Sequence, residues 1–259
     1  MKGERVVVKI GGSTLGQHDT TLEDLVWLHA EGVEAIVVHG GGKTITEWLE
    51  RQGVPSRFVR GLRVTDERSI EVVVAVLAGL VNKQLVAAIN ALGGRAVGLC
   101  GADGGTLRAR VKDPALGLVG EPSRVEAAAI EGLLAQRFLP VIAPVGVLEE
   151  GDRVRATLLN INADTAAGEI GGALGAQRCV FLTDVPGVCD GDGRVLPRLS
   201  REEAQALIAS GVISGGMVPK VEACVRALAH VPASHIVDGR RPHSLRDCLA
   251  GRDSGTRIS

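Results

Sequence analysis

The 259-residue chain is 45% hydrophobic and 23% charged, a globular composition with ample material for a core and one that excludes a disordered chain. Its length suits one α/β domain or two closely merged lobes. A net charge of −1 from scattered residues, 2% aromatic content and no tyrosine leave no electrostatic footprint for nucleic acid or an anionic membrane and no base-stacking surface.

The first element is the apolar run Val6-Val7-Val8-Lys9-Ile10, a buried strand opening directly into Gly11-Gly12-Ser13. Glycines let the main chain approach an anion, a following helix N-terminus adds partial positive charge, and a lysine ammonium can meet a terminal phosphate. A second arrangement of the same kind follows in Ile36-Val37-Val38-His39-Gly40-Gly41-Gly42-Lys43. Taken singly, each is compatible with an ordinary strand-to-helix turn; two anion cradles together imply a donor and an acceptor. The second is not a Walker loop, because the glycine required at position 37 is Val37, and it is not a dinucleotide fingerprint, because the third glycine is replaced by Ile45.

Asp66 is the expected N-cap of a long helix running to about Leu92, with Ile70, Val73, Val74, Leu77, Leu80, Val81 and Leu85 at three- and four-residue spacings. Val72, Val76 and Val86 widen its apolar face, which fits either a central core helix or one that also joins a symmetric dimer. Leu107–Val111 and Leu116–Val119, separated by Asp113-Pro114, read as a hairpin standing off the sheet. Further strands are expected at 35–38, 96–99, 141–144, 179–183 and 234–237, alternating with helical stretches and nearly continuous in Val, Ile and Leu. That pattern predicts an α/β/α sandwich with a mostly parallel central sheet. A division into lobes 1–159 and 160–259 is expected after the Glu149-Glu150-Gly151-Asp152 turn. Cys100, Cys179, Cys189, Cys224 and Cys248 are odd in number and form no CxxC pair, and no uninterrupted apolar run approaches the roughly 20 residues of a membrane span. A soluble cytoplasmic protein is the expectation.

Downstream, Asn160-Ile161-Asn162-Ala163-Asp164 opens a helix, Leu182-Thr183-Asp184-Val185-Pro186-Gly187-Val188 follows a strand, and Gly215-Gly216-Met217-Val218-Pro219-Lys220 opens another helix. With Lys9-Ile10-Gly11-Gly12 and His39-Gly40-Gly41-Gly42, this ordered set resembles the amino-acid kinase (carbamate kinase-like) family. Within it, Gly61-Leu62-Arg63-Val64-Thr65 and the paired asparagines resemble the N-acetylglutamate kinase branch. The resemblance implies transfer of the γ-phosphoryl of ATP, with Mg²⁺, to the side-chain carboxylate of N-acetyl-L-glutamate, as in arginine biosynthesis. Such a reaction needs positioning and electrostatics rather than a general base, since a carboxylate carries no proton to remove.

By the same resemblance, Lys9 and Lys220 are the two transition-state lysines and Asp164 the carboxylate that holds both, a role compatible with capping the helix that begins near Thr165. Arg63 resembles the clamp of the substrate α-carboxylate, with a surface arginine in a hairpin as the alternative. Asn160 resembles a further substrate contact. Gly41 and Gly42 would offer amides to the acceptor, and Gly11 and Gly12 to the γ-phosphate. Thr183, Asp184, Val185, Gly187 and Val188, with Gly215, Gly216 and Met217, resemble the adenosine-binding loops. The first lobe then binds the acceptor and joins a homodimer through helix 66–92, while the second binds ATP. His39 is expected to be structural. Arg153–Leu159 is longer and more basic than the family pattern, so a substrate lid there is expected to differ. Arginine-inhibited members resemble one another in a helix before the first strand, which Lys9 arrives too early to follow, so no arginine feedback and a dimer rather than a hexamer are expected. Two rivals stay open: a kinase for glutamate or aminoadipate on a carrier protein, and a non-catalytic amino-acid or nucleotide sensor with this fold.

Overall fold

In the computed structural model, which describes residues 2–11, 20–151, 153–252 and 254–259, the first half contributes strands β1 (Arg5–Ile10), β2 (Glu34–His39), β3 (Phe58–Val59), β4 (Leu62–Arg63), β5 (Ala96–Cys100), β6 (Leu107–Val111) and β7 (Val119–Val125). The second half contributes β8 (Leu139–Ala143), β9 (Val145–Glu150), β10 (Arg153–Ile161), β11 (Arg178–Thr183), β12 (Arg198–Leu199), β13 (Ser234–Asp238) and β14 (Thr256–Ile258). An eight-stranded sheet takes the order β12-β14-β13-β11-β1-β2-β8-β5. The six strands from β13 to the edge strand β5 are parallel, and they are the six expected from continuous apolar runs. β14 runs antiparallel to β13 and carries β12 beside it. The fold is thus the expected α/β/α sandwich, with both faces of the sheet covered: Val7, Ile36, Ile142 and Phe181 enter one apolar cluster, and Val8, Val37, Val141 and Val180 the other.

The expected hairpin is real but larger. β6 and β7 pair antiparallel, with Pro114–Leu116 forming a 3₁₀ turn between them, so the second strand begins at Val119 rather than Leu116. Together with β9 and β10 they close into a four-stranded barrel. Arg153–Leu159, where a differing substrate lid was expected, is part of a barrel strand paired with β9, exposed at Arg153 to Ala156 and buried at Leu159. The eight-stranded sheet is continuous across the division at 159/160, because β1 lies between β2 and β11.

Asp66 caps the long helix, its carboxylate accepting from Ser69 N. That helix consists of α3 (Glu67–Val74), a π-helical stretch Ala75–Val81 and α4 (Asn82–Ala91). Taken whole, Glu67–Ala91 is long and apolar enough, by length and composition, to cross a membrane. The reading for uninterrupted apolar runs missed this because Asn82 and Lys83 interrupt the sequence without ending the helix. Leu85 and Ile89 are buried in the cluster on one face of the sheet, and Val73, Val76 and Leu77 in a cluster shared with Ile45 and Leu49 of the helix Gly42–Arg51, as a core helix requires. Buried Asn82 locks the helix to the sheet by donating to Val141 O at 2.9 Å and meeting His39 Nε2 at 3.2 Å. His39 is accordingly buried, and burial pushes its imidazole down to about 4, which fits the structural role expected of it. The five cysteines are free.

Candidate active site

Two features of local sequence build the first half of the site. β1 ends at the sheet's carboxyl edge beside β11, Lys9 lying in register with Phe181, so its side chain emerges where both strands stop. Asn162 then caps the helix Ala163–Ala173, accepting from Asp164 N at 2.9 Å and Thr165 N at 3.0 Å. The capping role considered for Asp164 belongs to Asn162, two residues earlier, because Asp164 is already inside the first turn. There the helix dipole favours its negative charge, and its side chain is free to reach Lys9, with Nζ to Oδ1 at 2.9 Å.

Lys220 comes from the first turn of the helix Met217–Ala227. Its ammonium lies 3.3 Å from Asp184 Oδ1, at the end of β11. The expectation that Asp164 holds both ammonium groups is thus met for Lys9, while Lys220 is held by Asp184. Burial works against ionisation of Asp184, but the hydrogen bond and charge of Lys220 keep its carboxyl below the ordinary value. Lys9, Gly11, Asp164, Thr183, Asp184 and Lys220 line one cavity of about 160 Å³. Two lysine–carboxylate pairs from opposite ends of the chain therefore face a common space.

A second cavity, of about 180 Å³, is lined by Gly40, Gly41, Gly42, Arg63, Asn160 and Asn162 among others. Gly41 is required for packing: a methyl group there would stand 2.6 Å from Leu77 Cδ2. Arg63 is only 7% exposed, so it is not a surface arginine. Its Nη1 donates to Ser56 Oγ at 2.6 Å, and its Nη2 donates to Gly42 O at 2.9 Å and Thr46 Oγ1 at 2.7 Å. Phe58 lies under the guanidinium, 4.6 Å from ring centroid to Cζ. Among the described residues it has no carboxylate partner, and burial lowers its pKa. A buried guanidinium fixed by neutral acceptors beside a cavity is a site awaiting an anion. Asn160 holds its place by donating to Thr65 Oγ1 at 3.1 Å.

A third cavity joins the two, sharing Asp164 with the first and Gly61, Leu62 and Asn162 with the second. The geometry provides one compartment with two cations and a neighbouring one with a third, each suited to anionic oxygens.

Not every candidate reaches these cavities. Val188 is fully buried and its amide donates to Thr256 Oγ1 at 2.8 Å. Gly187, at φ +145°, is wedged between Val195 and Thr256. Both are committed to the chain's own packing. Val185 is tied to Thr183 through that residue's hydroxyl. Gly215 and Gly216 are exposed just ahead of the Lys220 helix, which begins at half-buried Met217, a short way from the lysine cavity. Gly12 lies outside the described residues. Sequence reasoning missed Asn162, Ser56, Thr46 and Phe58; of these only Asn162 carried a signal, as a cap residue directly before a helical run.

The model of the amino acid kinase family matches residues 4–238. The chain belongs to that family. An acetylglutamate kinase from Azorhizobium caulinodans is 46% identical over an alignment of 272 positions, covering 98% of this chain and 89% of the relative. The structure of smu.665 from Streptococcus mutans UA159 superposes with a TM-score of 0.82 at 30% identity, over 98% of each chain. Carbamate kinase from Giardia lamblia bound to AMP-PNP matches with a TM-score of 0.73 at 18% identity, again over 98% of each chain, and shares the fold. In this amino acid kinase fold Lys9 leaves β1 at the carboxyl edge of the sheet, where open α/β sheets bind ligands, and Lys220 reaches the same cavity from a helix.

Proposed function

We propose that the chain is an acetylglutamate kinase, transferring the γ-phosphoryl group of ATP to the side-chain carboxylate of N-acetyl-L-glutamate and yielding N-acetyl-L-glutamyl 5-phosphate, a step of arginine biosynthesis. A carboxylate oxygen forms the new bond to phosphorus while the bond to the bridging oxygen of ADP breaks. Lys9 and Lys220 neutralise charge on the migrating group, and Asp164 and Asp184 set the position of each ammonium. Arg63 receives the α-carboxylate of the acceptor, Asn160 and the amides of Gly41 and Gly42 orient it, and Gly11 meets the γ-phosphate. Thr183, Gly215, Gly216 and Met217 border the nucleotide. Among the described residues no cluster of three or more metal-ligating side chains occurs, which suits Mg²⁺ carried on the nucleotide phosphates as part of the substrate.

The observation that carries this reading is the meeting of the Lys9–Asp164 and Lys220–Asp184 pairs beside an uncompensated buried arginine. The identity to acetylglutamate kinases supports free N-acetylglutamate over a carrier-linked acceptor, and two intact lysine pairs favour an enzyme over a sensor. A hydroxamate assay with ATP, Mg²⁺ and N-acetylglutamate, against glutamate and aminoadipate, tests all three. Acyl hydroxamate formed from N-acetylglutamate alone is the expected result; none above background from folded protein would favour a sensor.

The finer assignments follow from the same reading. The first lobe, 1–159, binds the acceptor and 160–259 the nucleotide, in a cytoplasmic enzyme. The helix Glu67–Ala91 leaves Ala75 and Gly79 exposed beside half-buried Val74, Ala78 and Leu80, an outer face that suits close packing in a homodimer. Light scattering giving twice the monomer mass is expected.

A further inference from the structure

Between the long helix and the cavity beside Arg63 runs a chain of polar groups whose donors and acceptors assign themselves. Lys83 Nζ donates to Asn82 Oδ1 at 2.9 Å and to Gly98 O at 3.1 Å. An ammonium can only donate, so the amide oxygen of Asn82 faces it and Nδ2 faces the other way. That nitrogen donates to Val141 O at 2.9 Å and lies 3.2 Å from His39 Nε2. Across the ring, His39 Nδ1 lies 2.9 Å from Gly40 O. A carbonyl can only accept, so Nδ1 carries the proton and Nε2 receives the one offered by Asn82; a single neutral tautomer satisfies both contacts. Burial, aided by the charge of Lys83, pushes the imidazole down to about 4, so the ring is neutral at pH 7. Asn82 is 0% and His39 1% exposed, and at such depth an unmade hydrogen bond is costly.

The consequence falls on the glycine loop. Within a planar trans peptide the carbonyl and the following N–H point in opposite directions. A bond that turns Gly40 O toward the His39 ring therefore turns the Gly41 N–H away from it. Gly40 and Gly41 line the cavity beside Arg63, and His39 does not. A peptide between two glycines flips at little steric cost, and the flipped form would present a carbonyl oxygen where an anion has to bind. Leu77, which closes off the space behind Gly41, belongs to the π-helical stretch Ala75–Val81, and Asn82 is the residue that leaves it. Single π-helical turns of this kind are frequent at functional sites; here the distorted stretch both backs the loop and orients it.

We infer that His39 is a positioning residue for the acceptor: held in one tautomer by Asn82, it fixes the Gly40–Gly41 peptide so that the Gly41 amide faces the bound carboxylate. This deepens the acetylglutamate kinase reading and rests on it for the identity of the anion. The ring moves no proton; its neutrality is what lets one nitrogen donate while the other accepts.

Two conservative variants separate this role from packing. The side-chain amide of H39N places a nitrogen near the position of Nδ1, where it can still donate to Gly40 O; that of H39Q reaches the position of Nε2 and cannot. The acceptor KM of H39Q should be about tenfold above that of H39N, as expected for one lost hydrogen bond to a bound anion's support, with the KM for ATP alike in both. Both variants delete the ring, so a residue that merely fills space would give equal acceptor KM values in the two, and that result overturns the inference. The ring itself offers a readout that needs no substrate: nitrogen NMR of the wild type should show Nδ1 protonated and Nε2 bare. The opposite tautomer overturns the inference even if H39Q fails to fold. A wild type with the expected tautomer that forms no acyl phosphate from N-acetylglutamate would sink the kinase reading and leave the clamp on the glycine loop standing.

Discussion

Lys220 is held by Asp184, Nζ to Oδ1 3.3 Å, while Lys9 is held by Asp164 at 2.9 Å. Each lysine proposed to bind the transferring phosphoryl group thus has its own anchor, one on a helix N-terminus and one at a strand end. Separate anchors let the two ammonium groups move toward a transferring group independently.

Replacing either lysine removes charge stabilisation that strengthens in the transition state. Lys9→Ala and Lys220→Ala should each lower kcat by roughly 10²- to 10³-fold with little change in KM for either substrate. Steady-state kinetics checks this, and a tenfold rise in KM at unchanged kcat would reassign the lysine to ground-state binding. Asp184→Asn should lower kcat by only about tenfold, because the Lys220 charge remains and only its placement loosens.

Arg63→Ala should raise the acceptor KM roughly 10- to 100-fold, the range expected when a hydrogen bond to a charged group is lost. It should also lower the melting temperature, since Ser56, Thr46 and Gly42 O lose their shared donor. Arg63→Lys keeps the charge but not the fork, so the KM defect should persist in part. Unchanged acceptor affinity in Arg63→Ala would remove it from the substrate site.

Asn162→Ala deletes the cap that orients the first turn around Asp164. A loss of about 1 kcal/mol in unfolding free energy is expected, measured by urea denaturation. The accompanying fall in kcat should exceed that of a cap removed elsewhere, such as Ser200→Ala on the helix Arg201–Ala209.

Stability should fall on mild acidification. His39 and His235 are both held near 4 in the folded chain against an ordinary 6.5, so the unfolded chain binds more protons between those values. The stability they leave intact above pH 6.5 is therefore lost as pH falls toward 4, by on the order of 3 kcal/mol for each. Urea midpoints at pH 7 and pH 5 measure it, and His39→Asn should flatten the dependence.

Much of the fold was legible because buried parallel strands carry nearly continuous apolar runs such as Val6–Ile10, broken only by Lys9, and Val141–Ala143. The barrel was not, since β10 opens with the exposed residues Arg153 to Ala156 and closes the ring by pairing both with adjacent β9 and with distant β7. The edge strands β12 and β14 are two and three residues long, too short for any periodicity. In the site, Lys9 and Asp164 stood out from their glycines and helix start. The Lys220–Asp184 pairing did not, because only the three-dimensional arrangement of a strand end and a helix turn brings them together. Val188 misled for the opposite reason: its position in a loop motif concealed a core side chain.

The placement of β1 between β2 and β11 governs how the molecule can assemble. During synthesis the amino-terminal strand finds one neighbour within a few dozen residues, yet its other edge stays open until most of the polypeptide has left the ribosome. The sheet closes, and Lys9 acquires its surroundings, only late in translation, so this high-contact-order step sets the pace of maturation and exposes an unpaired backbone edge to aggregation until then.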